Sequence, residues 1–157
     1  VPMTNDAVDV GRAAIGQGDL FATPLQMAQV AATIANGGRR MRPYLMARAV
    51  DADGRVVDET EPEEAARVVS RATARELTAM MKQVVREGTG TAAALSGVEV
   101  AGKTGTAELN TNGLNNLWFI GFTDEHAVAV VLERTQGGTG GTVAAPIAAD
   151  VLEALGG

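Results

Sequence analysis

Cysteine is absent from the 157 residues, which excludes a disulfide framework and any thiolate metal centre and leaves the redox compartment open. Histidine occurs once, at His126, too few for a two-histidine zinc site; neither a metal nor a cofactor is expected. Aromatic residues make up 3% of the chain and the formal net charge is -6. Such a chain lacks both the positive field that tracks phosphates and the rings that stack on bases, so nucleic acid is excluded as a partner. The longest unbroken apolar run, residues 127–132, falls far short of the roughly 20 residues that span a membrane. The N-terminus has no basic-then-apolar leader pattern. It opens on Val1-Pro2 rather than on methionine, as expected of a processed chain or a piece of a longer one.

The remaining composition, 46% hydrophobic and 20% charged, is that of one globular domain, at a size where folding buries roughly 70% of the surface. Thr23-Pro24-Leu25-Gln26 reads as a capping box with proline at the first helical position. The predicted helix continues through alanines 28, 31, 32 and 35 and stops at Gly37-Gly38. Two short strands, 44–50 and 55–58, are expected around Asp53-Gly54, and the acidic stretch 58–64 as a solvated loop. A second helix begins between Ser70 and Thr73, with Thr73 and Glu76 as a second capping box. Its stripe of Leu77, Met80, Met81, Val84 and Val85 reads as core, and it ends at Gly88. Beyond it come a strand over 98–107, a polar loop over 110–116 and a hairpin of 117–123 with 127–134 whose tip carries His126 as a solvated turn residue. A flexible connection over 137–142 and a helix over 143–155 complete the chain.

One segment fits two kinds of chemistry. Residues 97–104 satisfy the phosphate-loop pattern G-x-x-x-x-G-K-[ST], and Glu133 ends an apolar stretch able to supply a magnesium carboxylate. A phosphate loop, however, needs its Lys-Thr to open a helix whose free N–H groups face the anion. Here Lys103-Thr104 is followed by Gly105-Thr106, poor helix formers, and preceded by the strand-like Val-Glu-Val-Ala. Nucleotide binding is therefore the remote alternative. Read as a strand, the segment places Thr104 and Thr106 on one face, able to hold one carboxylate together. Lys103 adds positive charge, Gly105 admits a substrate backbone, and the Thr106 N–H can serve as an oxyanion donor. An ordinary strand with one exposed lysine is the bland alternative.

The company of that segment is informative. Ala14-Ile15-Gly16-Gln17-Gly18, Thr23-Pro24-Leu25-Gln26-Met27-Ala28, Ala35-Asn36-Gly37-Gly38, Gly88-Thr89-Gly90, Ala101-Gly102-Lys103-Thr104-Gly105-Thr106-Ala107 and Trp118-Phe119-Ile120-Gly121-Phe122 occur in this order. Together they resemble the penicillin-binding transpeptidases, most closely the class B enzymes, and the resemblance covers nearly the whole chain. It implies an α+β fold, an antiparallel sheet flanked by helices, related to the serine β-lactamases. It implies also that Lys103 supports the proton relay and the field, that Thr104 and Thr106 grip the carboxylate of a stem peptide or β-lactam, and that the Thr106 N–H completes an oxyanion hole. Gly105 and Glu108 would line the cleft, Glu108 being equally readable as a solvated carboxylate. Gly16-Gln17-Gly18 is expected to shape backbone packing, and Trp118 to be core.

One departure is large. The family's nucleophile lies in S-x-x-K, yet the two serines here, Ser70 and Ser96, have no lysine three residues on, and no S-x-N occurs. Residues 1–157 are thus expected to be the C-terminal portion of a single transpeptidase domain, the portion with S-x-x-K and S-x-N lying on a preceding segment. The expected activity is that of a peptidoglycan D,D-transpeptidase working through a serine acyl-enzyme. A D,D-carboxypeptidase, a β-lactamase of the same fold and a non-catalytic penicillin-recognising sensor are the alternatives. The resemblance implies stem peptides, β-lactams, the missing N-terminal part and other cell-wall synthesis or division proteins as partners. It places the protein at the extracytoplasmic face of a bacterial membrane, anchored by a segment outside this chain.

Overall fold

Helix α2 (Pro24–Ala35) starts where its capping box predicts: the Gln26 N–H donates to Thr23 Oγ1 at 3.2 Å, and the Thr23 N–H donates to Gln26 Oε1 at 2.8 Å. The computed structural model describes residues 10–18, 20–109 and 112–156, from the short helix α1 (Val10–Ala14) onward. α2 ends at Gly37 and Gly38, both at positive φ, and the Gly38 N–H closes the last turn on the Thr33 carbonyl. Glycine is required at 38 for space as well, since a Cβ there would lie 2.2 Å from the Val69 carbonyl.

Three long strands, β5 (Ala101–Glu108), β6 (Leu114–Phe122) and β7 (Ala127–Gln136), form an antiparallel sheet in that order. Its two faces follow from alternation along the strands. Ile120, Phe122 and Ala129 face α2 and helix α3 (Arg71–Arg86), where they pack with Ala31 and Met81. Phe119, Val128, Val130 and Leu132 face helix α4 (Ala145–Ala154), packing with Ala148 and Leu152, and Val85, Ala93 and Val100 close that core. The expected architecture of an antiparallel sheet flanked by helices is the one observed. Gly102 stands opposite Gly121 in the β5–β6 ladder, and a Cβ on either would run into the ring of the fully buried Phe119, at 2.3 and 2.7 Å. The ring fills a slot that the glycines leave open.

Several expectations need correction. The acidic stretch is not all loop: β3 (Val56–Glu59) pairs with β2 (Arg48–Val50), and β4 (Glu64–Arg67) pairs with β1 (Arg39–Met41). Strand 44–50 is thus shorter than its composition suggests. Ser70, not Thr73, caps α3, accepting from the Thr73 N–H at 3.0 Å. Met80, expected in the core, is 58% exposed, whereas Ala74, Met81 and Val85 are buried. β5 begins at Ala101 rather than 98, and β6 at Leu114, so 114–116 are strand rather than loop; residues 110 and 111 lie outside the described ones. His126 is half-buried, and its Nδ1 is shut away from solvent without a partner among the described residues.

Candidate active site

Lys103 and Thr104 lie in the middle of β5, so no helix N-terminus stands behind them to receive a phosphate, and the nucleotide reading falls. Glu99, inside the same pattern, is instead ion-paired to Lys82 and Arg86 of α3. The hydrogen bond from Lys82, reinforced by Arg86, holds its carboxyl below the ordinary value of 4.5. A carboxylate so lowered stabilises the fold above that value and loses the contribution as pH falls through the folded-state value. Glu99 and Arg86 are exposed and Lys82 only half-buried, so the effect is small and salt-screened. The melting-temperature gap between the parent and Glu99→Gln should narrow as pH drops from about 6 to below about 4.

Among the described residues β5 is an edge strand, paired with β6 alone. In a strand the N–H and C=O of one residue point to the same edge, and successive residues alternate. Three contacts identify the residues that face outward. The Thr104 carbonyl accepts from Lys103 Nζ at 2.5 Å, the Thr106 carbonyl from Gln17 Nε2 at 3.1 Å, and the Glu108 N–H donates to Gln17 Oε1 at 3.3 Å. The Thr106 N–H therefore points to the free edge, as an oxyanion donor must. Register places Lys103 beside Ile120 on the α2/α3 face, and Thr104 and Thr106 beside Phe119 and Leu117 on the opposite one. An extended peptide along this edge would have the ammonium on one side and two hydroxyls on the other.

The hydroxyls are not equivalent. Thr104 is half-buried, its Oγ1 2.7 Å from Thr89 Oγ1; Thr106 is exposed, its Oγ1 accepting a long hydrogen bond of 3.4 Å from the Gly140 N–H. Lys103 and Glu108 are exposed, and Gly105 is half-buried against Trp118, which is itself half-buried rather than core. Two hollows, one between α2 and α3 and one beside Glu99, lie away from Lys103, Thr104 and Thr106. The β5 edge is an open wall.

Three contributions to this wall were not read from sequence. The run 137–142, expected to be a flexible connection, holds a buried π-helical turn (Gly140–Ala144) with its own Thr139–Thr142 capping box, packed on β5. A Cβ at Gly140 would lie 2.1 Å from the Trp118 carbonyl and 2.5 Å from the Gly105 carbonyl, and one at Gly141 2.0 Å from the Thr89 carbonyl. Thr89, from Gly88-Thr89-Gly90, supports Thr104. Gln17, expected only to shape packing, reaches across to β5; its signal was a long polar side chain set between two glycines.

A family model described as the penicillin binding protein transpeptidase domain matches residues 3–153. The chain belongs to that family. Among curated members of the penicillin-binding transpeptidases, it is 43% identical to the peptidoglycan D,D-transpeptidase PbpA of Mycolicibacterium smegmatis, over 90% of this chain and 31% of the relative. It is 33% identical to penicillin-binding protein 1A of Neisseria gonorrhoeae, over 88% of this chain and 18% of that protein. The penicillin G acyl-enzyme complex of penicillin-binding protein A from M. tuberculosis superposes with a TM-score of 0.80 at 39% identity, covering 94% of this chain and 35% of that one. The chain thus spans about a third of the length of the PbpA relative. Among the described residues no helix is long and apolar enough to cross a membrane.

Proposed function

We propose that this chain forms the substrate-binding wall of a peptidoglycan D,D-transpeptidase whose nucleophile, in S-x-x-K, and S-x-N stand on a preceding segment of the same domain. The observation that carries the reading is the outward-facing Thr106 N–H on an unpaired edge, flanked by Lys103 and two threonine hydroxyls, in a chain similar to named D,D-transpeptidases.

A stem peptide ending in D-Ala-D-Ala lies along the edge with its scissile carbonyl oxygen at the Thr106 N–H. Attack by the serine Oγ forms a carbon–oxygen bond and pushes the carbonyl electrons onto that oxygen, where a fixed donor stabilises the developing charge. Collapse breaks the peptide bond, and the proton taken from the serine leaves on the amine of the terminal D-alanine. An amine of a second stem peptide then attacks the ester, its new carbon–nitrogen bond replacing the bond to the serine, and the proton it loses returns to the departing serine Oγ. Lys103 supplies positive charge and supports the proton relay, Thr104 and Thr106 hold the terminal carboxylate, and Gly105 and Glu108 line the approach. A β-lactam takes the donor's place and remains as the acyl-enzyme. Since the substrate is peptidoglycan, the protein works at the extracytoplasmic face, held there by a segment outside this chain.

Penicillin treatment of the complete protein, followed by intact-mass measurement and peptide mapping, tests this reading. One adduct per molecule is expected, on a serine outside residues 1–157. The Ser70 hydroxyl caps α3 and neither serine here has a lysine partner; an adduct on Ser70 or Ser96, or none at all, overturns the proposal. Thr106→Val keeps the shape but deletes a hydroxyl facing a charged carboxylate, a bond worth about 1.5–3 kcal/mol. Acylation should slow by roughly 10- to 100-fold without vanishing, because the backbone N–H survives.

A further inference from the structure

The two hydrogen bonds of Gln17 have a geometry of their own. Its Nε2 donates to the Thr106 carbonyl and its Oε1 accepts from the Glu108 N–H, at 3.1 and 3.3 Å, although these residues lie 89 and 91 positions along the chain. One side-chain amide thus presents to β5 the donor and acceptor that one residue of a pairing strand would present. The backbone around it serves that placement. Gly16 and Gly18 stand at φ +78 and +82, where side chains are strained, and the Gln17 N–H is tied to the Arg12 carbonyl at 2.9 Å, at the end of α1.

We propose that Gln17 is a positioning residue for acylation. Its amide occupies the free edge from the Thr106 carbonyl to the Glu108 N–H and leaves the Thr106 N–H open. Two effects follow. The Thr106 carbonyl is fixed at the free edge, which holds the backbone at Thr106 so that its own N–H, pointing to the same edge, is aimed at the acyl carbonyl. Pairing is also stopped at Thr106, so an incoming peptide cannot slide along the strand to a register that carries its carbonyl past the donor. Gln17 does this without touching the reacting atoms. The inference rests on the transpeptidase reading above.

The test uses the complete protein, with the parent, Gln17→Ala, Gln17→Met and Gln17→Glu compared for the rate of acylation by penicillin and for melting temperature. Gln17→Ala and Gln17→Met should each acylate about tenfold more slowly while melting close to the parent. Methionine keeps the length and fill of the side chain without its hydrogen bonds, so it guards against a packing artefact. Gln17→Glu separates positioning from packing. An ionised carboxylate offers only acceptors and faces the Thr106 carbonyl with the wrong group, whereas the protonated acid offers one O–H donor and one acceptor, like the amide. Its rate relative to the parent at the same pH should therefore rise as pH falls from about 7.5 toward about 5, nearing the ordinary glutamate range. Parental or faster acylation in Gln17→Ala and Gln17→Met, or a ratio for Gln17→Glu that is flat with pH, overturns the inference alone. A parent that takes no label overturns the functional reading and this inference with it.

Discussion

Lys103→Ala in the complete protein is expected to slow penicillin acylation by at least about a hundredfold while the melting temperature stays near that of the parent. The lysine is exposed, and its ammonium rests on the Thr104 carbonyl at the free edge of β5. Its removal creates no cavity and breaks no buried contact, so stability has little reason to change. On the proposed function, what is lost is the positive charge beside the oxyanion and the substrate carboxylate, together with a donor for the relay. Melting curves and covalent labelling should therefore diverge. Labelling at the parental rate would show that the charge plays no part in acylation; a matching fall in melting temperature would show that the lysine holds the strand rather than the substrate.

The second large effect is expected from Gly140→Ala, through stability. The added methyl would stand 2.1 Å from one backbone carbonyl and 2.5 Å from another, both inside the β5–β6 ladder. Neither can swing aside as a side-chain tip can, so the turn must lift or the ladder must open. Overpacking of this kind costs about 1–3 kcal/mol, and more where backbone resists. Because β5 carries Lys103, Thr104 and Thr106, the acylation rate should drop along with the melting temperature. Gly137→Ala is the control: φ there is +76 with nothing within 4 Å of the new carbon. It should cost only the left-handed strain, about 1–2 kcal/mol, and leave acylation near the parent rate. Equal damage from both substitutions would refute the packing account.

The contrast between those two glycines shows where sequence reasoning worked and where it ran out. Local chemistry was legible. The Thr23–Gln26 box, the halt at Gly37-Gly38 and the hairpin of β6 with β7 are set by neighbours a few residues apart and appear where their residues place them, while the two-residue turn expected at Asp53-Gly54 is a wider connection over 51–55. β4 was missed because Glu-Ala-Ala-Arg has no strand character of its own. It becomes a strand by pairing with β1, aided by the exposed ion pairs Arg39–Glu64 and Arg42–Glu63. In the site, the period of two put Thr104 and Thr106 on one face correctly. The partners of that face were not legible, since Thr89, Gly140 and Gln17 lie 15, 34 and 89 residues from the threonines they touch. No periodicity records a contact at that distance. Only the spacing of glycines hinted that something was being brought close.

The slot filled by the Phe119 ring bears on how this domain can change. Gly102, Gly121 and Phe119 form one steric unit across two strands, and a Cβ added at Gly90 would lie 3.3 Å from the same ring. A methyl added at either glycine meets an aromatic ring, and a smaller side chain at 119 leaves a void beneath glycines that cannot fill it, so each single step is costly. Changes at these positions are thus strongly non-additive, tolerable in combination and harmful alone. Altering how β5 sits on β6 therefore takes coordinated change at Gly102, Gly121 and Phe119, so the placement of this strand is guarded by epistasis as well as by its own contacts.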